Sequence, residues 1–385
     1  MKLGIDASNI RSGGGVTHLV ELLRCADPLS YGCTQVIVWS CHATLNQIEN
    51  RPWLVKTHHA LLEKGLPWRI YWQKCHLSKL ARSAGCDALF VPGGSYAGDF
   101  LPFITMSQNL LPFDWLEIRR YGWSSIMLKI LLLRWTQSRT FRKAQGVIFL
   151  TQYAHDAVMN VIKSTFGKTA VIPHGIADRF KRPIPGQRPI TDYSLTNPFR
   201  ILYVSHIEQY KHQWHVAEAV GMLRAAGYPV VLDLVGPKGN AIKQLQTAMG
   251  KIDPDGAFIK YWGAISYGKM PEILRNTDLF LFASSCENMP NILLEGMAAG
   301  LPIACSNRGP MPEVLGDAGV YFDPENPHDI ARALRELIES PDLRMRLATK
   351  ASERSNAYSW ARCANETFEF IAEVVSGYDQ PKECG

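Results

Sequence analysis

Two carboxylates, Glu287 and Glu295, bracket the segment Glu287-Asn288-Met289-Pro290-Asn291-Ile292-Leu293-Leu294-Glu295. An arbitrary pair at this spacing is usually solvated; here the flanking residues point elsewhere. A strand-like run, Asp278 to Ala283, precedes the segment, and Asn291 to Ala299 reads as a helix that Gly300-Leu301-Pro302 stops. Pro290 stands beside the helix start, where a missing N–H costs little. Strand, acidic loop and helix make one βα unit. The free N–H groups and positive dipole end of its helix suit a phosphate. Glu287 falls at the carboxyl end of the strand, where open α/β sheets bind ligands. Glu295 falls about one turn into the helix, within reach of a hydroxyl of the same ligand.

A cation follows another strand. Arg200 to Ser205 leads directly into Ser205-His206-Ile207-Glu208-Gln209-Tyr210-Lys211. A lysine at a strand-to-helix junction is able to neutralise a leaving diphosphate. Gly236-Pro237-Lys238-Gly239 after the next strand allows close backbone approach and adds a second lysine. Gly13-Gly14-Gly15, after the first strand, lets backbone amides approach a phosphate or sugar. Its consecutive glycines do not follow the GxGxxG fingerprint, and no GxxxxGK[ST] occurs. Cys286 has no activating neighbour in sequence and reads as a packed thiol.

These groups need elements to position them. Strand-like runs alternate with helical ones along the chain, which predicts parallel sheets in an α/β protein. The expected strands of the first half are 2–6, 35–40, 88–92, 147–151 and 171–173, with a helix over 16–24. Those of the second are 200–205, 230–235, 258–262, 278–283 and 302–305. The Pro-, Gly- and Thr-rich stretch 181–198 reads as a linker. The expected domains are 1–185, binding the acceptor, and 186–385, binding the nucleotide sugar, with the last helix crossing back to the first. Their sheets are expected to face a central cleft.

The length of 385 residues suits two domains, and 46% hydrophobic with 20% charged residues is a globular composition. No apolar run reaches the length of a membrane span. The nine cysteines show no CxxC pair or zinc-ligand spacing, and with no export signal they read as reduced cytosolic thiols. Charge is uneven: residues 1–188 hold 23 Lys and Arg against 11 Asp and Glu. That half faces an anionic partner, whether nucleic acid, a membrane or a lipid diphosphate.

Together, Asp278 to Glu295 and Ser205 to Lys211 make the chain resemble the retaining glycosyltransferases of family 4, the glycosyl transferases group 1, which have the GT-B fold of two Rossmann-like domains. Ile148 to Ala154 and Val171 to Ile176 are also similar to family elements. The resemblance implies transfer of a hexose-type sugar from a nucleoside-diphosphate sugar to a glycan or lipid-diphosphate-linked acceptor, in cell-surface polysaccharide synthesis. It implies that Glu295 binds the ribose and Glu287 the transferred sugar. The Asn288, Met289, Pro290 and Asn291 backbone would face the sugar diphosphate, and Lys211 the departing phosphate. Gly14, Gly15, Ser205, His206 and Gly236 would complete the donor contacts. No cofactor beyond the donor substrate and no metal is expected. The sequence departs from the family twice. Ser205-His206 stands where the family often has Gly-Arg, leaving His206, Lys238 or Arg308 to compensate. Gln108-Asn109 stands where it often has His-Asp; Asn109 is the expected catalytic contact there, although neither amide titrates.

The alternatives are a GT-B epimerase or phosphorylase and a catalytically silent nucleotide-sugar-binding or assembly subunit. Nucleic-acid binding has no recognised module behind it. The expected location is cytoplasmic, at the cytoplasmic face of the membrane. Residues 115–143 interleave Trp115, Trp123 and Trp135 with seven basic residues, a composition suited to an anionic membrane. On a helical wheel, however, Ser125, Lys129, Thr136, Thr140 and Lys143 form only a narrow polar stripe, which predicts a largely buried helix. Pro67 to Trp72 is a second aromatic-basic run, read as packing.

Overall fold

The computed structural model describes residues 1–378; the end of the expected second domain, including Cys384, lies outside the described residues. The chain forms two compact units. The first comprises residues 1–118, 122–175 and the described residues from 359 on; the second comprises 119–121 and 176–358.

The first unit holds a sheet of seven strands: β1 (Lys2–Asp6), β2 (Gln35–Ser40), β3 (Leu54–His58), β4 (Ala88–Val91), β5 (Phe103–Met106), β6 (Gly146–Phe149) and β7 (Lys168–Val171). All neighbours pair in parallel, in the order β3-β2-β1-β4-β5-β6-β7. The second unit holds β8 (Phe199–Val204), β9 (Val230–Val235), β10 (Ile259–Gly263), β11 (Leu279–Phe282), β12 (Ile303–Ser306) and β13 (Val320–Phe322), in the order β10-β9-β8-β11-β12-β13, again all parallel. The central strands Ala88-Leu89-Phe90-Val91 and Leu279-Phe280-Leu281-Phe282 are buried throughout. That is why they read as continuous apolar runs rather than alternating ones. Both orders reverse direction beside the first strand, so β1/β4 and β8/β11 are the topological switch points, where ligands of such sheets bind.

The stretch 181–198 is not a free tether. Buried Arg344 donates to Gln187 Oε1 (2.9 Å), to the carbonyls of Leu337 and Ile338 (2.7 Å each) and to that of Arg188. Tyr193 donates to Asp278 Oδ1 at 2.7 Å. The chain instead changes unit between Gly175 and Ile176. A Cβ on Gly175 would lie 2.1 Å from Trp360 N, so this crossing admits only glycine. The last helix, Trp360–Ser376, lies in the first unit and packs on the helix Gly14–Cys25.

The helix Ser125–Lys143 differs from expectation. Ser124 caps it by accepting from Met127 N at 3.2 Å. Its buried residues are Ile130, Gln137, Ser138, Thr140 and Phe141, while Leu128, Leu132 and Trp135 are exposed. The polar stripe is partly turned inward because Thr140 accepts from Tyr96 N (3.0 Å) and Gln137 packs beside Gly94. The helix is therefore not largely buried.

Candidate functional site

In the second unit, β8 and β11 lie side by side, so the loops leaving their carboxyl ends meet. The loop after β8 tightens into a helical turn at Gln209–Lys211, and His212 takes a left-handed conformation (φ 53°) before the helix Gln213–Ala225. Tyr203 holds this turn by donating to Lys211 O at 2.7 Å, and Gln213 Nε2 donates to Ser205 Oγ (2.7 Å) and His206 O (2.8 Å). The loop after β11 is tied to the same turn: Ser285 N donates to Tyr210 O at 2.8 Å, and Ser285 Oγ meets His212 Nε2 at 2.9 Å. These bonds bring Lys211 Nζ against Glu287 Oε1, with the side chains only 10% and 16% exposed. The ammonium also lies 5.1 and 5.4 Å from the Tyr210 and Phe282 ring centroids. A charge pair this buried keeps its worth only while both members are present.

His206 stands beside that pair. Burial first, then the Lys211 ammonium, hold it below the usual histidine range. It is therefore neutral at pH 7 and does not replace the family's arginine as a cation. Arg308 faces Asp323 at 3.3 Å, and Lys238 is exposed on the loop after β9. That loop is laced to the one after β8, with Ile207 N donating to Pro237 O (3.1 Å) and Ala241 N to Ile207 O (3.2 Å). Gly236 permits the close approach: at φ 146°, a Cβ there would fall 1.9 Å from Ser205 O.

Glu295 lies in the helix Asn291–Ala298, 5% exposed. Burial pushes its pKa up to about 8, against the opposing pull of the Tyr267 hydroxyl and Arg179. Tyr267 donates to Oε1, and Arg179 stacks over the Tyr267 ring at 4.7 Å. Glu295 Oε2 is buried with no hydrogen-bond partner among the described residues. A buried acceptor of this kind carries a desolvation cost that a hydroxyl donor would remove. Asn288, Met289 and Pro290 are buried at the helix start. Pro290 has no N–H, and its carbonyl accepts from Leu293 N (2.9 Å) and Leu294 N (3.3 Å). The Asn291 N–H is donated to Met289 O at 3.1 Å, so of the amides expected to face a ligand, this one is engaged within the turn.

The first unit is built differently. Gly14 and Gly15 are not in a loop: they form the first turn of the helix Gly14–Cys25, and Gly13 caps it at φ 67°. A Cβ on Gly15 would lie 3.0 Å from Gln108 Oε1. Asn109 is exposed, and its Oδ1 accepts from Leu111 N at 3.1 Å, closing the turn before Leu111–Phe113. Beside Gln108 lies a histidine pair that sequence reading did not single out. His18 and His174 stack at 4.7 Å, with the Trp360 ring 6.0 and 5.5 Å away. Burial, then His174, holds His18 well below the usual histidine range, so it is neutral.

Residues 192–354, which contain Lys211, Glu287 and Glu295, match the family model of the glycosyl transferases group 1. This part of the chain belongs to that family. The chain is 24% identical to a glycogen synthase of Mycobacterium tuberculosis over 344 residues, 86% of this chain and 77% of the relative. It is 25% identical to an Escherichia coli O-antigen chain mannosyltransferase B over 43% of this chain and 44% of the relative. In structure it resembles sucrose-phosphate synthase from Thermosynechococcus elongatus (TM-score 0.76, 14% identity, covering 98% of this chain and 100% of that one). It also resembles Anabaena HepE in complex with UDP and glucose (TM-score 0.67, 16% identity, the same coverage). These likenesses show the GT-B fold.

Within this glycosyltransferase fold, several groups are supplied from far along the chain. Arg120 belongs to the second unit and forms a paired contact with Glu325 at 2.7 and 2.9 Å, which lowers the Glu325 pKa to about 2. His212 is lowered to about 3, by burial first and then by Arg120. A cavity of about 400 Å³ lies against β8–β10, bounded by Arg200, Asp233, Trp262, Ile265 and Lys269. It does not reach Lys211, Glu287 or Glu295. Among the described residues, His42, His58 and Glu63 bring possible metal-ligand atoms within 4.8 Å of one another in the first unit. The two rings stack at 3.7 Å and 17°, so their in-plane lone pairs run nearly parallel instead of converging on one ion.

Proposed function

We propose that this chain is a retaining glycosyltransferase that moves a hexose-type sugar from a nucleoside-diphosphate sugar to a glycan or lipid-diphosphate-linked acceptor, in cell-surface polysaccharide synthesis. The observation that carries the reading is the pairing of Lys211 with Glu287 at the β8/β11 switch point, with Glu295 on the helix that follows. Glu295 Oε2 accepts a ribose hydroxyl, and Glu287 a hydroxyl of the transferred sugar. Lys211 moves its charge from Glu287 toward the departing phosphate and stabilises the anion that develops there. With charge supplied by Lys211 and by helix ends, the reaction is proposed to run without a metal. Acceptor recognition falls to the first unit. A nucleotide donor is in keeping with the structural relative HepE, which has been obtained with UDP and with UDP-glucose.

The second reading is a catalytically silent nucleotide-sugar-binding subunit. It is favoured by neutral His206 and by the absence of a titrating side chain at Gln108-Asn109. Thermal shift with UDP, GDP, ADP and their sugars tests the binding site; a ligand held at about a hundred times its Kd raises stability by about 2.7 kcal/mol. Donor turnover then separates the two readings. Binding that depends on Glu295 but gives no turnover with any of these sugars supports the silent subunit, whereas no shift with any of them removes both.

A further inference from the structure

The helix Ser125–Lys143 turns its amphipathic character outward. Leu128, Leu132 and Trp135 recur at intervals of four and three, which places them on one stripe, and they are 67%, 62% and 62% exposed. Arg139 continues the stripe one turn on, while Ser125, Lys129, Arg142 and Lys143 flank it and are also exposed. Just before the helix, Trp123 is fully exposed, beyond a turn made by Gly122 at φ 53°. Single exposed apolar residues are ordinary, but three large ones in a row on one helix, with Trp123 just before it, mark a contact surface.

The charge says which contact. The helix carries five basic residues, Lys129, Arg134, Arg139, Arg142 and Lys143, and no Asp or Glu. A two-fold dimer through this face would oppose the basic stripe to itself. An anionic bilayer surface meets both demands: acyl chains receive Leu128, Leu132 and the tryptophans, and headgroups receive the basic rim. A second exposed run, Leu66, Trp68, Ile70 and Tyr71, lies in the same unit, with Lys64 over the Trp68 ring at 4.7 Å. We infer that the outward face of the helix 125–143, with Trp123, docks this protein onto an anionic membrane by shallow insertion. This inference uses no residue of the donor site and stands apart from its assignment.

The test is co-sedimentation of the full chain with phosphatidylcholine vesicles and with vesicles of phosphatidylcholine mixed with phosphatidylglycerol. The expected result is binding to the mixed vesicles, weakened by added salt. A triple variant, Leu128→Ser, Leu132→Ser and Trp135→Ser, should bind at least about tenfold more weakly. Its melting temperature checks that it is folded. Because these side chains are exposed, little change is expected. Should that variant fail to fold, Trp123→Ser with Lys129→Gln carries the same test, each basic residue near an anionic surface contributing about fivefold. Equal binding by folded variants and wild type would overturn the inference, as would no binding to either vesicle. A concentration-dependent dimer that the variants abolish would instead assign this face to a second copy.

Discussion

The two switch points are built from the same strand order and hold opposite kinds of chemistry. After β8 and β11, ionisable groups converge: Lys211 on Glu287, with Glu295 buried close by in sequence and Arg179 and Tyr267 gathered on it. After β1, the chain turns at Gly13 into a helix; behind it Gln108 stands beside the stacked, buried pair His18 and His174, of which burial keeps His18 neutral, and the buried Asp6 is taken up by Ser8 and Gln73. The first unit nevertheless lies in the more basic half of the chain, because its charge is carried on exposed helices and loops rather than at the switch point. A fold that needs one place to manage developing negative charge has no need to duplicate it. The neutral switch point is suited to recognising hydroxyls, and the basic exterior to a surface.

The contrast breaks most visibly at Lys211. Lys211→Ala removes the cation proposed to meet the leaving phosphate, and turnover should fall about 10²–10³-fold. Initial rates of donor turnover measure this. The same variant strands Glu287 in a site that excludes most water, so stability should drop by about 3 kcal/mol. The double variant Lys211→Ala, Glu287→Ala should recover part of that loss without recovering activity. Asn109→Ala, at the neutral switch point, should change turnover far less. If the two positions matter equally, the proposed division of labour is wrong.

Backbone geometry supplies a second break. Gly236→Ala forces φ 146° on an alanine and drives its Cβ into Ser205 O, so it should cost about 3 kcal/mol or more and displace the Lys211 loop. Gly13→Ala meets nothing within 4 Å of the added Cβ, so only its glycine-favouring backbone conformation (φ 67°, ψ −154°) is strained, at about 1–3 kcal/mol. Urea titration of both variants compares the crowded switch point with the open one.

Glu295 sharpens the comparison through pH. Its folded pKa of about 8 lies above the ordinary value of 4.5. Between those values the folded state holds a proton that the unfolded chain releases, so this group's stabilisation is lost as pH rises from about 5 to 8. Glu295→Gln, neutral throughout, should remove that slope, melting closer to wild type at pH 5 and higher than it at pH 8. Each kcal/mol is worth about 2–4 °C for a unit of this size. Donor affinity should run the other way. An ionised carboxylate accepts a ribose hydroxyl better, so binding should strengthen above pH 8 in wild type, whereas Glu295→Gln should bind more weakly with no such rise.

The parts of this arrangement that sequence reveals are those made by neighbours along the chain. Asp278 to Glu295 carries a buried strand, a loop and a helix in one stretch, so Glu287 and Glu295 could be placed without coordinates. Lys211 was legible for the same reason, at the end of Arg200 to Ser205. Arg120 and Arg179 were not: Arg120 joins the second unit from the detached segment 119–121, and Arg179 lies far before the Glu295 it acts on, with no local pattern to mark either. The strands β5 and β13, of four and three residues, are too short to show a period, and the half-exposed edge strand β3 lacks a clean apolar run. For the helix 125–143, periodicity gave the stripes but not which one faces the core. Gln137, Ser138 and Thr140 face inward because hydrogen-bond and packing partners wait there, and the wheel cannot contain those partners.

The smallest expected effect probes the residue by which the charged switch point departs most from its family. His206 stands where relatives often carry the arginine that accompanies the lysine. Burial and Lys211 hold it neutral at pH 7, and Glu287 only partly offsets them. Because the folded pKa lies below 6.5, protonation weakens this site as pH falls through the ordinary histidine range; it does not add charge at neutral pH. His206→Arg would introduce a permanent cation next to Lys211. If Lys211 alone limits leaving-group stabilisation, turnover should rise severalfold, and nucleoside-diphosphate affinity should rise with it, since charge-assisted hydrogen bonds to phosphate are about twice as strong as neutral ones. If the neutral histidine is instead matched to the donor's shape, the bulkier arginine should lower turnover while leaving diphosphate affinity unchanged or higher. The ratio of the two changes, read from kcat and from nucleoside-diphosphate inhibition on the same variant, decides whether His206 is a missing charge or a fitted contact.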